Sequence, residues 1–174
     1  MNGWLVGGVA LLLTSITGEA RSSVGPSVPT QIAQGEKKEA EVKEVLAGVI
    51  VLHGTNDGKG IDPDIGDLPA LKKPPFSAYN SYKLLEKYDL KLPKGEAKEK
   101  KLPDGGKLSL LFKDVNRGKK KEDPTKFVLS ATIEKADGKQ FLPGLDVNAL
   151  KGEYFFIAGQ KYNGGILVIG VKVH

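Results

Sequence analysis

The chain contains no cysteine, and that one absence removes several classes of chemistry. Disulfide staples, thiolate zinc sites and thiol nucleophiles are all excluded. No lipid anchor is expected either, because there is no thiol to carry one. Stability must therefore come from an apolar core, which a chain of 174 residues is long enough to build. Arginine is scarce too: of 26 basic residues only Arg21 and Arg117 are arginine. Readers of base edges rely on the planar guanidinium fork, so sequence-specific nucleic-acid binding is not expected. Histidine occurs twice, as His53 and His174, too few to hold a metal without carboxylate help.

Familiar catalytic signatures are missing as well. No Gly-x-Ser-x-Gly elbow presents a serine nucleophile. Gly54-Thr55-Asn56-Asp57-Gly58-Lys59-Gly60 has the look of a phosphate loop, but the spacing between its first glycines is one residue short. Gly60 also stands where Ser or Thr would hold magnesium. No cofactor is expected from these residues.

What the chain does have begins with an address. Trp4 to Ile16 is an apolar run without charge, followed by Thr17-Gly18-Glu19-Ala20. Small residues at positions 18 and 20 suit signal-peptidase cleavage after Ala20. The run is shorter than the roughly 20 apolar residues that span a bilayer. Residues 1–20 are therefore expected to be a signal peptide, and the mature chain to be exported, periplasmic or extracellular, without a membrane span. Residues 21–43, with Pro26, Pro29 and Glu-Lys alternation, read as a flexible linker.

From residue 44 to 174 the punctuation is that of a β protein. Val45 to Leu52 is rich in β-branched residues and apolar without alternation, the signature of a strand buried on both faces. Prolines 63, 69, 74 and 75 imply an ordered crossing loop. Tyr79 to Leu92 changes phase near Leu84-Leu85, as a bulged strand does. Pro103-Asp104-Gly105-Gly106 and Ala136-Asp137-Gly138-Lys139 are hairpin turns. Phe127, Leu129, Ala131 and Ile133 alternate with more polar neighbours, and Ile166 to Ile169 should lie centrally because both faces need cover. The lysine-rich runs Ala97–Leu102 and Lys107–Val115 belong near a sheet edge, where charge blocks strand-to-strand aggregation. About eight such strands make an all-β domain, a single antiparallel β-sandwich or partly open barrel.

Candidate surface residues are few. His53 ends an apolar strand beside a loop carrying Asn56, Asp57, Asp62, Asp64 and Asp67. A histidine there suits acid–base work at a pocket rim, though strand-end histidines more often serve structure. The acidic loop offers oxygen ligands for calcium, but its spacing departs from the EF-hand and Asp also builds turns by itself. No metal site is assigned. Lys119, Lys120 and Lys121 follow Arg117-Gly118 and offer a polyanion contact, or a solvated hairpin tip. Aromatics make up 7%, and at strand positions Tyr79, Tyr82, Tyr154, Phe155 and Phe156 are expected in the core.

Two stretches carry a resemblance: Lys73-Pro74-Pro75-Phe76-Ser77-Ala78-Tyr79-Asn80-Ser81-Tyr82-Lys83-Leu84-Leu85, and Phe156 through Gly170 with its Gln160-Lys161-Tyr162-Asn163-Gly164-Gly165 centre. With Leu102-Pro103-Asp104-Gly105 between them, the chain resembles a group of small exported bacterial β-domain proteins of uncharacterised function. The resemblance implies bacterial origin and export, and transfers no site residue. The function expected is a non-enzymatic binding or structural module of the bacterial envelope, contacting a protein or surface polymer through loops or a sheet edge. The alternative is a hydrolase of envelope polymer with His53 and the Asp57 to Asp67 loop near its site. A third reading is polyanion binding through Lys119 to Lys121.

Overall fold

The structure, a computed structural model, describes residues 41–118 and 122–174. The expected signal peptide, most of the linker, and Lys119 to Lys121 lie outside the described residues. Nine strands are present among those described: β1 (Glu44–Thr55), β2 (Gly60–Ile61), β3 (Ser81–Pro93), β4 (Ala97–Lys101), β5 (Lys107–Asn116), β6 (Lys126–Glu134), β7 (Gln140–Leu150), β8 (Tyr154–Tyr162) and β9 (Gly165–Val173). They form a sandwich of two sheets, ordered β2-β3-β1-β9-β8 and β4-β5-β6-β7. Every strand pair is antiparallel except the two-residue pairing of β2 with β3, which is parallel. That short β2 is the element added to the eight strands expected.

The unbroken apolar stretch of β1 is explained by its position. It pairs with β3 on one side and β9 on the other, and both faces are covered. Val45, Ala47, Val49 and Val51 enter the core between the sheets, with Leu108, Leu110, Phe112 and Leu129 opposite. Ile50 and Leu52 point the other way, into a second cluster with Leu71, Tyr82 and Val168. Its cover is the proline-rich segment 62–80, wound into three short 3-10 turns that bring Leu71, Phe76 and Tyr79 onto the sheet. The crossing loop is thus a lid on the outer face. Tyr82 ties it down by donating its hydroxyl to the Phe76 carbonyl at 2.7 Å.

Local chemistry accounts for the remaining details. The pairing of β1 with β3 passes from Val51–Glu86 to Leu52–Leu84, so Leu85 is the extra residue of a bulge. The lysines of β4 occupy a sheet edge, as their charge requires. Pro143 and Gly144 sit in an irregularity of β7, the other edge of that sheet, where a missing N–H does no harm. Asn163 (φ 42°) and Gly164 (φ 75°) close a two-residue turn between β8 and β9, a hairpin geometry that needs positive φ at both positions. The fold starts slightly before β1: Val42 packs on the core, and Lys94 N–H donates to the Lys43 carbonyl at 2.8 Å. His174 is held in place at the edge of β1. Its N–H donates to Leu46 O at 2.9 Å, and its ring lies over Gly48, with Nε2 3.6 Å from Asp89 Oδ1.

Tyr88 supports a first test. Its hydroxyl is buried without a hydrogen-bond partner among the described residues, while the Lys100 ammonium sits 5.0 Å from the ring centre. Burial, aided by nearby Glu86, pushes its pKa up to about 12 from an ordinary value of 10.0. The folded form therefore keeps a proton that the unfolded chain releases near pH 10. Stability held below that pH is lost as pH rises toward 12. Tyr88→Phe is expected to leave stability at pH 8 unchanged or raised by up to about 1 kcal/mol, since only an unpaired hydroxyl is removed. It should also lose less stability than wild type between pH 10 and 12, measured by urea unfolding at each pH.

Candidate functional site

The ends of β1 and β3 meet β2 around a cavity of about 470 Å³, lined by His53, Thr55, Asp57, Lys59, Gly60, Asp62, Ser81, Tyr82 and Lys83. Register decides who faces it. His53 pairs with Lys83, Gly54 with Tyr82, and Thr55 with Ser81. Residues directly opposite in a ladder share a face. The bulge at Leu85 therefore sets Lys83 beside His53 and turns Tyr82 and Leu84 under the lid.

The loop between β1 and β2 is held by its own polar groups. Asn80 N–H donates to Asn56 Oδ1 at 3.0 Å, and Gly58 N–H donates to Asn80 Oδ1 at 3.0 Å. The buried Ser81 hydroxyl oxygen accepts from Lys59 N–H at 2.8 Å and Gly60 N–H at 3.3 Å. Its single proton is within reach of Asn80 Oδ1 and of the Asp57 carboxylate. Hydrogen bonding from Ser81, then from Lys59, holds Asp57 well below the usual carboxylate range. The Asp57 carboxylate also pairs with Lys59 Nζ at 3.0 Å.

Asp62 is committed as firmly. Oδ1 accepts from Asp64 N–H at 3.1 Å, capping the first 3-10 turn, and Oδ2 accepts from Leu84 N–H at 3.2 Å. Asp64 and Asp67 do not line the cavity, and Asp67 pairs with Lys72 at 2.7 Å. Among the described residues no three acidic or histidine side chains converge as a metal-holding group. His53 Nε2 lies 3.0 Å from the Tyr162 carbonyl, which can only accept, so Nε2 carries the hydrogen and Nδ1 is left with its lone pair when the ring is neutral. The Tyr162 ring packs edge-on to the imidazole at 5.2 Å.

Sequence reasoning places His53, Asp57 and Asp62 near one another, and the structure brings them to one cavity. It misses Lys59, Ser81 and Lys83. Their signal lies in the strand register, which depends on the bulge. Arg117 follows the end of β5, at the end of sheet β4-β5-β6-β7 opposite the turns at Asp104 and Asp137, and Lys119 to Lys121 lie outside the described residues. No helix among the described residues is long and apolar enough to cross a membrane. No protein-family model, curated protein or solved structure matches the chain.

Proposed function

We propose that this chain is an exported, non-enzymatic binding module of the bacterial envelope, which contacts a protein or surface polymer bearing acidic groups through the loop-rimmed cavity at His53. The observation that carries the reading is how the cavity's polar groups are spent. Asp57 is paired with the Lys59 ammonium and hydrogen-bonded by Ser81, and Asp62 accepts two backbone N–H groups. His53 Nε2 serves the Tyr162 carbonyl. Lys83 has no carboxylate partner among the described residues, which leaves an exposed cation at the rim for a ligand to meet. The excess of basic over acidic residues, 26 against 21, favours the same class of partner.

An array of envelope proteins and glycans probed with the full chain is expected to give a partner at micromolar concentration. Lys83→Glu should weaken that binding about tenfold, as loss and reversal of one partly exposed charge contact would do, and steepen nothing in the fold. Absence of any partner, or equal binding by the variant, would sink the reading. The juxtaposition of His53 with Asp57 and Asp62 favours the hydrolase alternative. Polymer turnover that disappears in both His53→Ala and Asp62→Ala would put it first.

A further inference from the structure

A second cavity, of about 530 Å³, lies between the hairpin turns at Asp104 and Asp137 and strand β8, and shares no lining residue with the first. Its key side chain is placed by a bulge. The pairing of β8 with β9 passes from Ala158–Val168 to Gln160–Leu167, so Gly159 is the extra residue. In a regular ladder Gln160 would share the outer face with Tyr154 and Phe156. The bulge instead sets it beside Leu167 on the inner face, which belongs to the core between the sheets. Gly159 is required there: a Cβ would come within 2.3 Å of the Phe141 ring.

Gln160 is only 7% exposed, and its Nε2 has no acceptor among the described residues. A buried amide donor left unpaired is costly and calls for an explanation. The surrounding charges point to one. Asp104 is spent on the Gly106 N–H at 3.0 Å. Asp137 accepts from Lys139 N–H at 3.1 Å and pairs with Lys139 Nζ at 3.4 Å. Lys161 and Lys135 have no carboxylate partner among the described residues, and the Lys135 ammonium rests 5.7 Å from the Phe141 ring centre. Asp137 is matched by Lys139, which leaves Lys135 and Lys161 against the single unmatched carboxylate of Asp104 among the described residues, a surplus of positive charge beside the unpaired amide donor.

We propose that this cavity binds an oxyanion, a carboxylate or phosphate group. Rotation of the Gln160 amide about its terminal torsion presents Nε2 to one oxygen, while Lys135 and Lys161 supply the charge. An anion of this kind gives Nε2 the charge-assisted acceptor that it lacks among the described residues. The site stands apart from the recognition proposed at His53, since either can fail alone.

The test is titration of the full chain with sodium phosphate and, separately, sodium acetate at constant ionic strength, followed by amide NMR. Saturable shifts of the Gln160 side-chain NH₂ and the Phe141 and Lys161 backbone amides are expected, and the probe that saturates tells phosphate from carboxylate. Gln160→Leu should weaken that binding at least about tenfold while leaving the thermal midpoint equal or higher, because an unpaired donor is removed. Lys161→Ala, at an exposed position, should weaken it several-fold with the midpoint unchanged. Should Gln160→Leu lower the midpoint, the lysine variant decides. No saturation with either probe, or undiminished binding by Lys161→Ala, overturns the proposal.

Discussion

Phe112→Ala is expected to lower the stability of the domain by about 3–5 kcal/mol, read as a large fall in the urea midpoint. Phe112 is fully buried in β5, within the core between the sheets, its ring centre 6.4 Å from that of Phe127. Removing the ring forfeits its transfer free energy and leaves a void that two hydrogen-bonded sheets cannot easily close. The backbone of this residue is also a junction. Its carbonyl accepts from Gly95 N–H at 2.8 Å, and it bridges to Lys94, where the chain leaves β3 for the second sheet. A domain of this kind holds only about 5–15 kcal/mol in total, so the variant spends a substantial part of that margin. A loss below about 1.5 kcal/mol would mean that the sheets collapse onto the void.

Leu71→Ala is expected to cost about 2–5 kcal/mol and to do so by loosening the lid. Leu71 is the only buried side chain in segment 62–80, at 2% exposure, and it packs with Ile50, Leu52 and Val168. Without it, the segment covers the outer faces of β1 and β9 only with the half-buried side chains of Ile65, Leu68, Phe76 and Tyr79. Proteolysis should then cut within residues 63–78 before the sandwich unfolds, because loosened segments open at low local free energy. Leu145→Ala is the control: Leu145 is 41% exposed on edge strand β7, and its loss should stay within about 0.5 kcal/mol. Equal proteolysis of Leu71→Ala and wild type would mean that the turns and the Tyr82–Phe76 hydrogen bond hold the lid unaided. The lid variant should also weaken ligand capture at the His53 cavity, since Tyr82 belongs to both the outer cluster and the cavity wall.

Several elements are legible because their signals are local. The alternation of Phe127 through Ile133 reports one buried face directly, and those residues are buried in β6. Asp104-Gly105 and Asp137-Gly138 are turns because the aspartates hydrogen-bond the backbone two residues on, to Gly106 and Lys139. β8 is less legible: its apolar residues Tyr154 to Ala158 give way to Gly159-Gln160-Lys161, yet the strand runs on to Tyr162. Asn163-Gly164, a strong hairpin signal, marks that longer strand, but the glycine bulge at 159 breaks the alternation leading to it.

By itself, then, the sequence determined an all-β domain, the central place of β1 and β9, the charged edge at β4 and a bulge near Leu85. Each follows from side-chain periodicity, turn chemistry or the need to cover an apolar strand on both faces. Tertiary structure alone decided what supplies that cover and which polar groups share a cavity. Lys83 stands beside His53, and Gln160 faces the core, because one extra residue in each of β3 and β8 puts the side chains on its two flanks out of phase with each other. Such a reversal is settled by pairing with a strand far away in the chain, where no local pattern can register it.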